Sequence, residues 1–359
     1  MFDKYFIMHQ IRYSKLEELF VENKIDIPHS QCNLFINFES MLIKMCTPSV
    51  NEYIEVAEKG NAHIEFAAHV LNLIAHYRLF FTKHGIKSKI YLYYQSPDNK
   101  RQYNQNYNPD YRKHYISKFT NGSVNFMLMD VVVNAFPMIK LIAEYIEGVY
   151  IIDPCGVETS LVPLTVINNT NDNKSTNLII SSYRYDIQYV NYGFSVIVPK
   201  SNDSVILTKS NIESDSSYIK GVDFKGIPMS LYPFILAISG DTIRNIYGIK
   251  GIGLKRAVNM VRTALQNGFI TENIDNVNLL IQLVKERYRQ HVRTNYQCVN
   301  ISSQYNDMSP GAVYQIMEQI VDKFDNESLK EINDTYFVWN PIRLIELTSE
   351  PRSRKNIKF

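Results

Sequence analysis

The chain has 359 residues, of which 45% are hydrophobic, and its 38 lysines and arginines are nearly balanced by 36 acids, giving a formal net charge of +2. This length is enough for one large domain or two ordinary ones with a sizeable core, and the near-neutral charge excludes a global field that attracts DNA or membranes. No run approaches the ~20 apolar residues of a membrane span and no secretion signal is present, so we expect an intracellular protein, in the cytoplasm or nucleus of a host, free or associated with a virion. The four cysteines are scattered without paired spacing, which indicates reduced thiols.

Helix-like and strand-like patterns alternate over the first part of the chain. Apolar residues at helical spacing in 11–25 predict a helix, and we treat 1–30 as an N-terminal helical extension. Strands alternating with helices favour a parallel α/β sheet with flanking helices, which we assign to 31–227. The patterns predict, in order, a buried strand running into a helix at 33–45, a helix at 61–84, a strand at 87–97, a helix at 128–147, a strand at 149–153, a strand and turn at 178–190 and a β-hairpin at 192–209.

One segment within this core, residues 98–119, is polar, basic and rich in tyrosine. Its aromatic rings are suited to stack on unpaired bases, and its basic residues Arg101, Arg112 and Lys113 are suited to contact phosphates. A solvated loop whose tyrosines pack on the α/β core explains the same composition. Both interpretations stay open at this point.

From about residue 228 the sequence is mainly helical. We divide it into a glycine-containing region at 228–270 and a helical C-terminal region at 271–359, which ends in the basic tail PRSRKNIKF. Amphipathic patterns predict helices at 279–292 and 312–324, which serve either as core helices or as a partner surface.

The stretch IYGIKGIGLKRA, residues 246–257, has the form of a helix-hairpin-helix. Its glycines permit a tight turn, and a helix begins at Leu254. In that geometry the free N–H groups at the start of the helix point at a phosphate, and no base edge is read. An ordinary glycine-rich turn between packed helices is the competing interpretation. The candidate phosphate-binding residues are Gly248, Lys250, Gly251, Gly253, Lys255 and Arg256.

The longer stretch SGDTIRNIYGIKGIGLKRA, residues 239–257, resembles the signature of the 5′-nuclease superfamily. This superfamily includes flap endonucleases, phage 5′-exonucleases and the exonuclease domain of bacterial DNA polymerase I, and its signature reads roughly G-D-x-x-D-N-I-P-G-V-x-G-I-G-x-K-T-A. The resemblance covers residues 30–265 and implies a PIN-like α/β core followed by a DNA-binding helix-hairpin-helix, at which a monovalent cation is an optional ligand. The stretch NPDYRKHY resembles the family's P-x-Y-K-x-x-R, in which a base contacts the scissile phosphate, and Arg112 stands at its lysine.

The family cleaves phosphodiesters with two metal ions, which a cage of acidic side chains holds at the strand ends. Matching the segments GVYIIDPCGVETSLVPL and LIISSYRYDIQYV to the family pattern, the resemblance retains only Glu158 and Asp241 of that cage. Asn37, at one position of the cage, still offers a carbonyl oxygen to a metal ion, but Arg244, at another, repels a divalent cation. A one-residue shift of the alignment recovers Glu39, Asp98 or Asp186, but not every missing acid. The cage positions that carry other residue types are Asn37, Ser96, Ser160, Leu161, Tyr183, Tyr185 and Arg244.

We therefore expect a catalytically inactive relative of the flap endonucleases, a pseudoenzyme without cofactor. It is expected to bind DNA without sequence specificity and to act with protein partners in replication, genome processing or nucleoprotein assembly. One alternative is an active structure-specific 5′-nuclease that holds Mg²⁺ or Mn²⁺ with Glu158, Asp241 and further acids. The other is a structural or scaffold protein of a virus or phage that has lost DNA contact. A membrane partner is not expected.

Overall fold

The computed structural model of the protein describes residues 31–38, 40, 62–94, 124–170, 174–199, 205–214, 218–219, 221–242, 244–271 and 277–321. Three sequence predictions lie outside these residues: the N-terminal helical extension, the tyrosine-rich segment 98–119 and the basic tail.

A six-stranded sheet forms the centre of the fold. It is built from β1 (Gln31–Asn37), β2 (Lys87–Tyr93), β3 (Val149–Ile152), β4 (Thr176–Ile180), β5 (Phe194–Val198) and β6 (Val205–Leu207). In space the strands run in the order β3-β2-β1-β4-β5-β6. The first five are parallel, and β6 returns antiparallel to β5, so the predicted hairpin forms one edge of the sheet. The predicted parallel α/β sheet is confirmed, with one antiparallel edge strand.

Helices connect and cover these strands. Their bounds are α1 (Ala62–Lys83), α2 (Val124–Ala143), α3 (Val162–Asn169), α4 (Lys209–Ser214), α5 (Tyr232–Ser239), α6 (Leu254–Gln266), α7 (Val277–Ile281), α8 (Glu286–Val299), α9 (Ile301–Asn306) and α10 (Pro310–Met317). Turns of 3₁₀ helix lie at Thr159–Leu161, Tyr185–Tyr192 and Met229–Leu231. Two short antiparallel pairs join β7 (Tyr218–Ile219) to β8 (Val222–Asp223) and β9 (Gly240–Asp241) to β10 (Ile246–Tyr247).

Alternation along the strands divides the core into two layers, because successive side chains of a strand point to opposite faces of the sheet. Leu34 and Ile36 of β1 pack in one apolar cluster with residues of α1 and α2. Phe35 belongs to the other cluster, which includes residues of α3, α5, α6 and α8. This second cluster extends across the boundary predicted at 227/228, so the helical region packs directly on the sheet. The domain boundaries themselves stay predictions.

The prediction of one helix over 279–292 was wrong. Helix α7 ends at Ile281, and turn hydrogen bonds from Leu283 N to Leu280 O and from Val284 N to Ile281 O tighten the chain after it. Lys285 is then extended, with φ −56° and ψ 142°, which redirects the chain before α8 begins. Within the described ranges, no helix is both long and apolar enough to cross a bilayer.

Candidate functional site

A buried group of polar residues, which we name the polar cluster, lies at the carboxyl ends of the parallel strands. Open α/β sheets bind their ligands at this edge. Asn37 is the last residue of β1, and Ser181 directly follows β4. The polar cluster comprises Asn37, Glu158, Ser160, Ser181, Tyr183, Tyr185, Asp186, Asp241 and Arg244, all of them buried. The structure thus brings together most of the positions that the resemblance assigns to the acidic cage.

Arg244 lies at the centre of the polar cluster and is 0% exposed. Its Nη1 lies 3.1 Å from Asp241 Oδ2, and its Nη2 donates a hydrogen bond of 2.9 Å to Ser160 Oγ. Its Nε lies 3.9 Å from Glu158 Oε2. The two acids that the resemblance retains therefore both pair with the arginine that replaces another acid.

Two tyrosine rings stand beside the guanidinium. Its central carbon lies 3.8 Å from the ring centroid of Tyr185 and 5.3 Å from that of Tyr183. Both distances are within the range at which an aromatic ring attracts a cation. The tyrosines that replace two family aspartates therefore favour the same cation, through their ring faces instead of a formal charge.

A tight hairpin between β9 and β10 turns Arg244 toward the sheet. Asp241 pairs with Ile246 across this hairpin, and Arg244 N donates a hydrogen bond to Asp241 O within it. Asn245 completes the turn at φ 55°, a left-handed conformation that asparagine tolerates better than most residues. The local chain geometry therefore sets the contact between Arg244 and Asp241.

Asp186 adds a third carboxylate, which the sequence named only as an acid that a one-residue shift of the alignment recovers. Its Oδ2 accepts hydrogen bonds from Asn37 Nδ2 at 2.6 Å and from Ser181 Oγ at 2.5 Å. Burial raises the pKa of Asp186, while Arg244 and the hydrogen bonds from Ser181, Asn37 and Ser160 partly oppose that rise. Burial, with a further contribution from Asp186, holds the pKa of Tyr93 well above its usual value. Asp186 is therefore part of the polar cluster, although the alignment put tyrosines at the family's acidic positions.

The C-terminal helices close over the polar cluster from the side of Glu158. Gln188 Nε2 donates a hydrogen bond of 2.8 Å to Val299 O at the end of α8. Glu158 is 2% exposed, and burial, with a further contribution from this acid, raises the pKa of the Cys298 thiol to about 12. The polar cluster is therefore covered by protein on this side.

A divalent metal ion does not fit the polar cluster as it is built. Mg²⁺ needs several oxygen ligands with their lone pairs available. Here Glu158 and Asp241 face a guanidinium, and one oxygen of Asp186 accepts two strong hydrogen bonds. Arg244 would repel an incoming cation in this water-excluded setting. In the part of the chain that the structure describes, no three or more His, Cys, Asp or Glu side chains form a group able to hold a metal ion.

The glycine-rich stretch begins with a close backbone crossing between Gly240 and Gly248. A Cβ atom on Gly248 would lie 2.6 Å from Gly240 N, and Gly240 itself has φ 78°. Ile249 N donates a hydrogen bond of 2.8 Å to Ile238 O, which ties the turn to the end of α5. Gly248 is therefore required for packing, in addition to the turn that the sequence predicted.

Beyond this crossing, the chain forms an exposed turn into α6, and we name Gly248–Arg256 the basic turn. Lys250, Lys255 and Arg256 are exposed, and Arg256 Nη1 donates a hydrogen bond of 2.7 Å to Gly251 O. Gly253 caps the start of α6 in an extended conformation, without a side-chain hydrogen bond to the first N–H groups. Such a helix start presents N–H donors and a positive dipole end to an anion. That this segment is a helix-hairpin-helix of the DNA-binding class stays a prediction.

The remaining predicted site residues are placed as follows. Leu161 is buried in the apolar cluster that contains Phe35, where it packs without a polar role. Ser96, Arg101, Arg112 and Lys113 lie outside the described residues.

Comparison with solved structures identifies the fold. The bacteriophage T5 flap endonuclease, in a pseudo-enzyme–product complex with DNA and metal ions, superposes with a TM-score of 0.51 at 14% identity, covering 84% of this chain and 99% of that chain. The bacteriophage T5 D15 protein co-crystallised with metal ions gives a TM-score of 0.52 at 13% identity, covering 86% and 99%. No protein-family model and no curated protein matches the sequence. The chain therefore has the 5′-nuclease α/β fold that the resemblance predicted.

Proposed function

We propose that this protein is a catalytically inactive relative of the 5′-nucleases that binds DNA through its phosphate backbone. The observation that carries the proposal is Arg244, which is fully buried against Asp241 and Glu158 at the position where the family pattern carries acids. The protein acts in replication, genome processing or nucleoprotein assembly, inside a cell or a virion. Protein partners would supply any chemical step.

Loss of catalysis follows from the charge in the polar cluster. Two-metal hydrolysis needs divalent ions to activate water and to stabilise the leaving oxygen. The guanidinium already neutralises the acids that would bind those ions, and its removal would leave buried carboxylates without a counter-charge. The arrangement is therefore stable as an ion cluster and unsuited to metal.

Retention of DNA binding follows from the basic turn. Lys250 and Lys255 are exposed, and neither makes an ion pair with any residue in the described ranges, so their charges are available to phosphates. No acid occurs between Arg244 and Thr271 in the sequence. N–H donors and lysines both recognise phosphate without reading a base edge, which predicts binding with little sequence preference.

Titration of labelled duplex, fork, 5′-flap and single-stranded DNA with the full chain in EDTA tests the binding half of this proposal. We expect the double variant Lys255→Glu with Arg256→Glu to weaken binding about 10- to 100-fold. It should also reduce the slope of log K against log salt by about 2, because each basic side chain that is replaced removes about one phosphate contact.

The matched control is Lys174→Glu with Lys209→Glu, which makes the same change in charge. Lys174 precedes β4, and Lys209 follows β6, which runs antiparallel, so both lie near the amino edge of the sheet, away from the polar cluster. Equal weakening of DNA binding in the two double variants would indicate a nonspecific effect of charge and would contradict the proposed site. A wild-type chain that binds none of these DNAs would instead favour a scaffold role.

A further inference from the structure

Helix α8 carries a local charge excess and packs beside the basic turn. Its N-cap residue and first part, residues 285–293, read KERYRQHVR, with four basic residues and one acid. The whole chain has nearly equal numbers of acids and bases, so this segment is locally basic. The lysine and the arginines are all exposed, although other residues of α8 are buried in the apolar cluster that includes residues of α5.

Two side chains of α8 hold it against the start of the basic turn. His291 Nε2 lies 2.6 Å from the carbonyl oxygen of Tyr247, and because a carbonyl only accepts, Nε2 carries the hydrogen. Asn295 Nδ2 donates to the same carbonyl at 2.8 Å and to Ala237 O at 2.9 Å. Tyr247 immediately precedes Gly248, so α8 is fixed to the residue from which the basic turn begins.

The helical repeat then places one arginine on the side of α8 that carries these two contacts. Residues four apart lie on the same side of an α-helix, so Arg287 shares a side with His291 and Asn295. Arg287 is exposed, and its guanidinium carbon lies 4.7 Å from the ring centroid of Tyr288, which braces it. Its N–H groups make no hydrogen bond with the described residues, so they are available to an anion.

Tyr247 adds an aromatic surface at the junction of α8 and the basic turn. Its side chain is 68% exposed, although its backbone is held by β10 and α8. An exposed ring beside basic residues is the combination with which proteins hold the sugars and unpaired bases of nucleic acid strands. The fixed backbone reduces the entropy that such a contact costs.

We infer that Arg287 and Tyr247 extend the DNA-binding surface from the basic turn onto α8. This inference rests on the proposed function and names a second set of contacts for it. Arg287 binds a backbone phosphate with its planar fork of N–H donors, and Tyr247 stacks on an unpaired base of the same strand. The DNA strand is thereby held at two points, one on either side of the contact between α8 and β10.

Charge reversal on two sides of the same helix tests the arginine contact. Arg287→Glu is compared with Arg289→Glu, because Arg289 is equally exposed but lies two residues on, nearly opposite the side that carries His291. With the full chain and labelled duplex and single-stranded DNA, we expect Arg287→Glu to weaken binding about tenfold and to reduce the salt slope by about 1. Arg289→Glu is expected to stay within about twofold of wild type, since it is not on the contact side.

Tyr247→Ala tests the ring separately. We expect it to weaken binding of single-stranded DNA about tenfold and binding of duplex much less, since only unpaired bases offer a face for stacking. The backbone carbonyl that His291 and Asn295 hold is unchanged by this substitution. Circular dichroism melting curves of all variants check the fold, and Arg287→Ala replaces Arg287→Glu if the reversal melts early.

The outcomes separate this inference from the proposed function. Suppose that Arg287→Glu and Arg289→Glu have the same effect on DNA binding while Lys255→Glu with Arg256→Glu still weakens it. The DNA contact inferred for α8 is then wrong, and the proposed binding by the basic turn is retained. If Tyr247→Ala binds single-stranded DNA like wild type, the ring contact is wrong. If the wild-type chain binds no DNA, both the proposed function and the inference fall.

Discussion

The polar cluster and the basic turn each contain a cation, and Arg244 of the cluster lies only a few residues before the basic turn in sequence, yet burial gives these cations opposite roles. Arg244 is 0% exposed and meets Asp241, Glu158 and two tyrosine rings. Lys255 and Arg256 are exposed, with no acid in the flanking sequence. A buried cation paired with acids is committed to the fold, whereas an exposed cation that pairs with no acid of the described residues is available to phosphate. Proximity in sequence therefore says little about which of these cations is available to phosphate.

The sharpest way to break this comparison is to remove each cation with the same substitution. Arg244→Met should cost about 3–5 kcal/mol of folding free energy, because two buried carboxylates lose their counter-charge. Arg256→Met should change stability by about 0.5 kcal/mol or less, since its side chain is exposed. Urea denaturation at neutral pH measures both. Equal stabilities of the two variants would show that Arg244 is not the centre of the polar cluster.

A smaller effect is expected where the two regions meet, at the glycine crossing. Gly248→Ala should destabilise the protein by about 1–3 kcal/mol, because its Cβ would overlap backbone atoms of Gly240 and Ser239 that have no room to move. Gly253→Ala is the matched control, since no atom lies within 4 Å of its Cβ position. Thermal melting compares the two variants. A Gly248→Ala variant as stable as Gly253→Ala would contradict the close crossing.

The smallest effect is a dependence of stability on pH. Since the folded-state pKa of Asp186 is raised, the folded protein holds a proton that the unfolded chain releases, and this acid lowers stability as pH rises above the ordinary carboxyl range. Asp186→Asn removes that dependence, so the variant should gain stability relative to wild type as pH rises from about 4 to about 8. Denaturation series over this range measure the difference. If the wild type instead became more stable relative to Asp186→Asn as pH rises, the folded-state pKa of Asp186 would be lowered, which would contradict this prediction.

The fold was predictable from sequence because its signals are local. Apolar runs such as LFI in β1 and IYLYY around β2 mark buried parallel strands, and the glycine spacing in 248–253 marks a turn before α6. The place of Asn37 follows as well, since the carboxyl ends of parallel strands meet at one edge of the sheet. Glu158, Asp241 and Arg244 lie outside these parallel strands, and it was the resemblance to the family pattern that assigned them to the site.

Other parts of the site depend on contacts that sequence does not reveal. Asp186 lies in a 3₁₀ helix after β4, where the alternation of the strand has ended and the direction of a side chain is no longer readable. The hydrogen bond between His291 and Tyr247 joins residues 44 apart in sequence. The break between α7 and α8 combines tight turns after Ile281 with an extended Lys285, inside a continuous amphipathic pattern. These features are set by packing, which a linear pattern does not specify.

The most direct test of the central claim is a cleavage assay on labelled 5′-flap and fork DNA, with Mg²⁺ or Mn²⁺ and analysed on denaturing gels. With Arg244 buried between the retained acids, the account predicts that the DNA is bound but stays intact at every metal concentration. A cut product that requires the metal, and that disappears in an Asp241→Ala preparation made in the same way, would show that the polar cluster is an active site and would contradict the account.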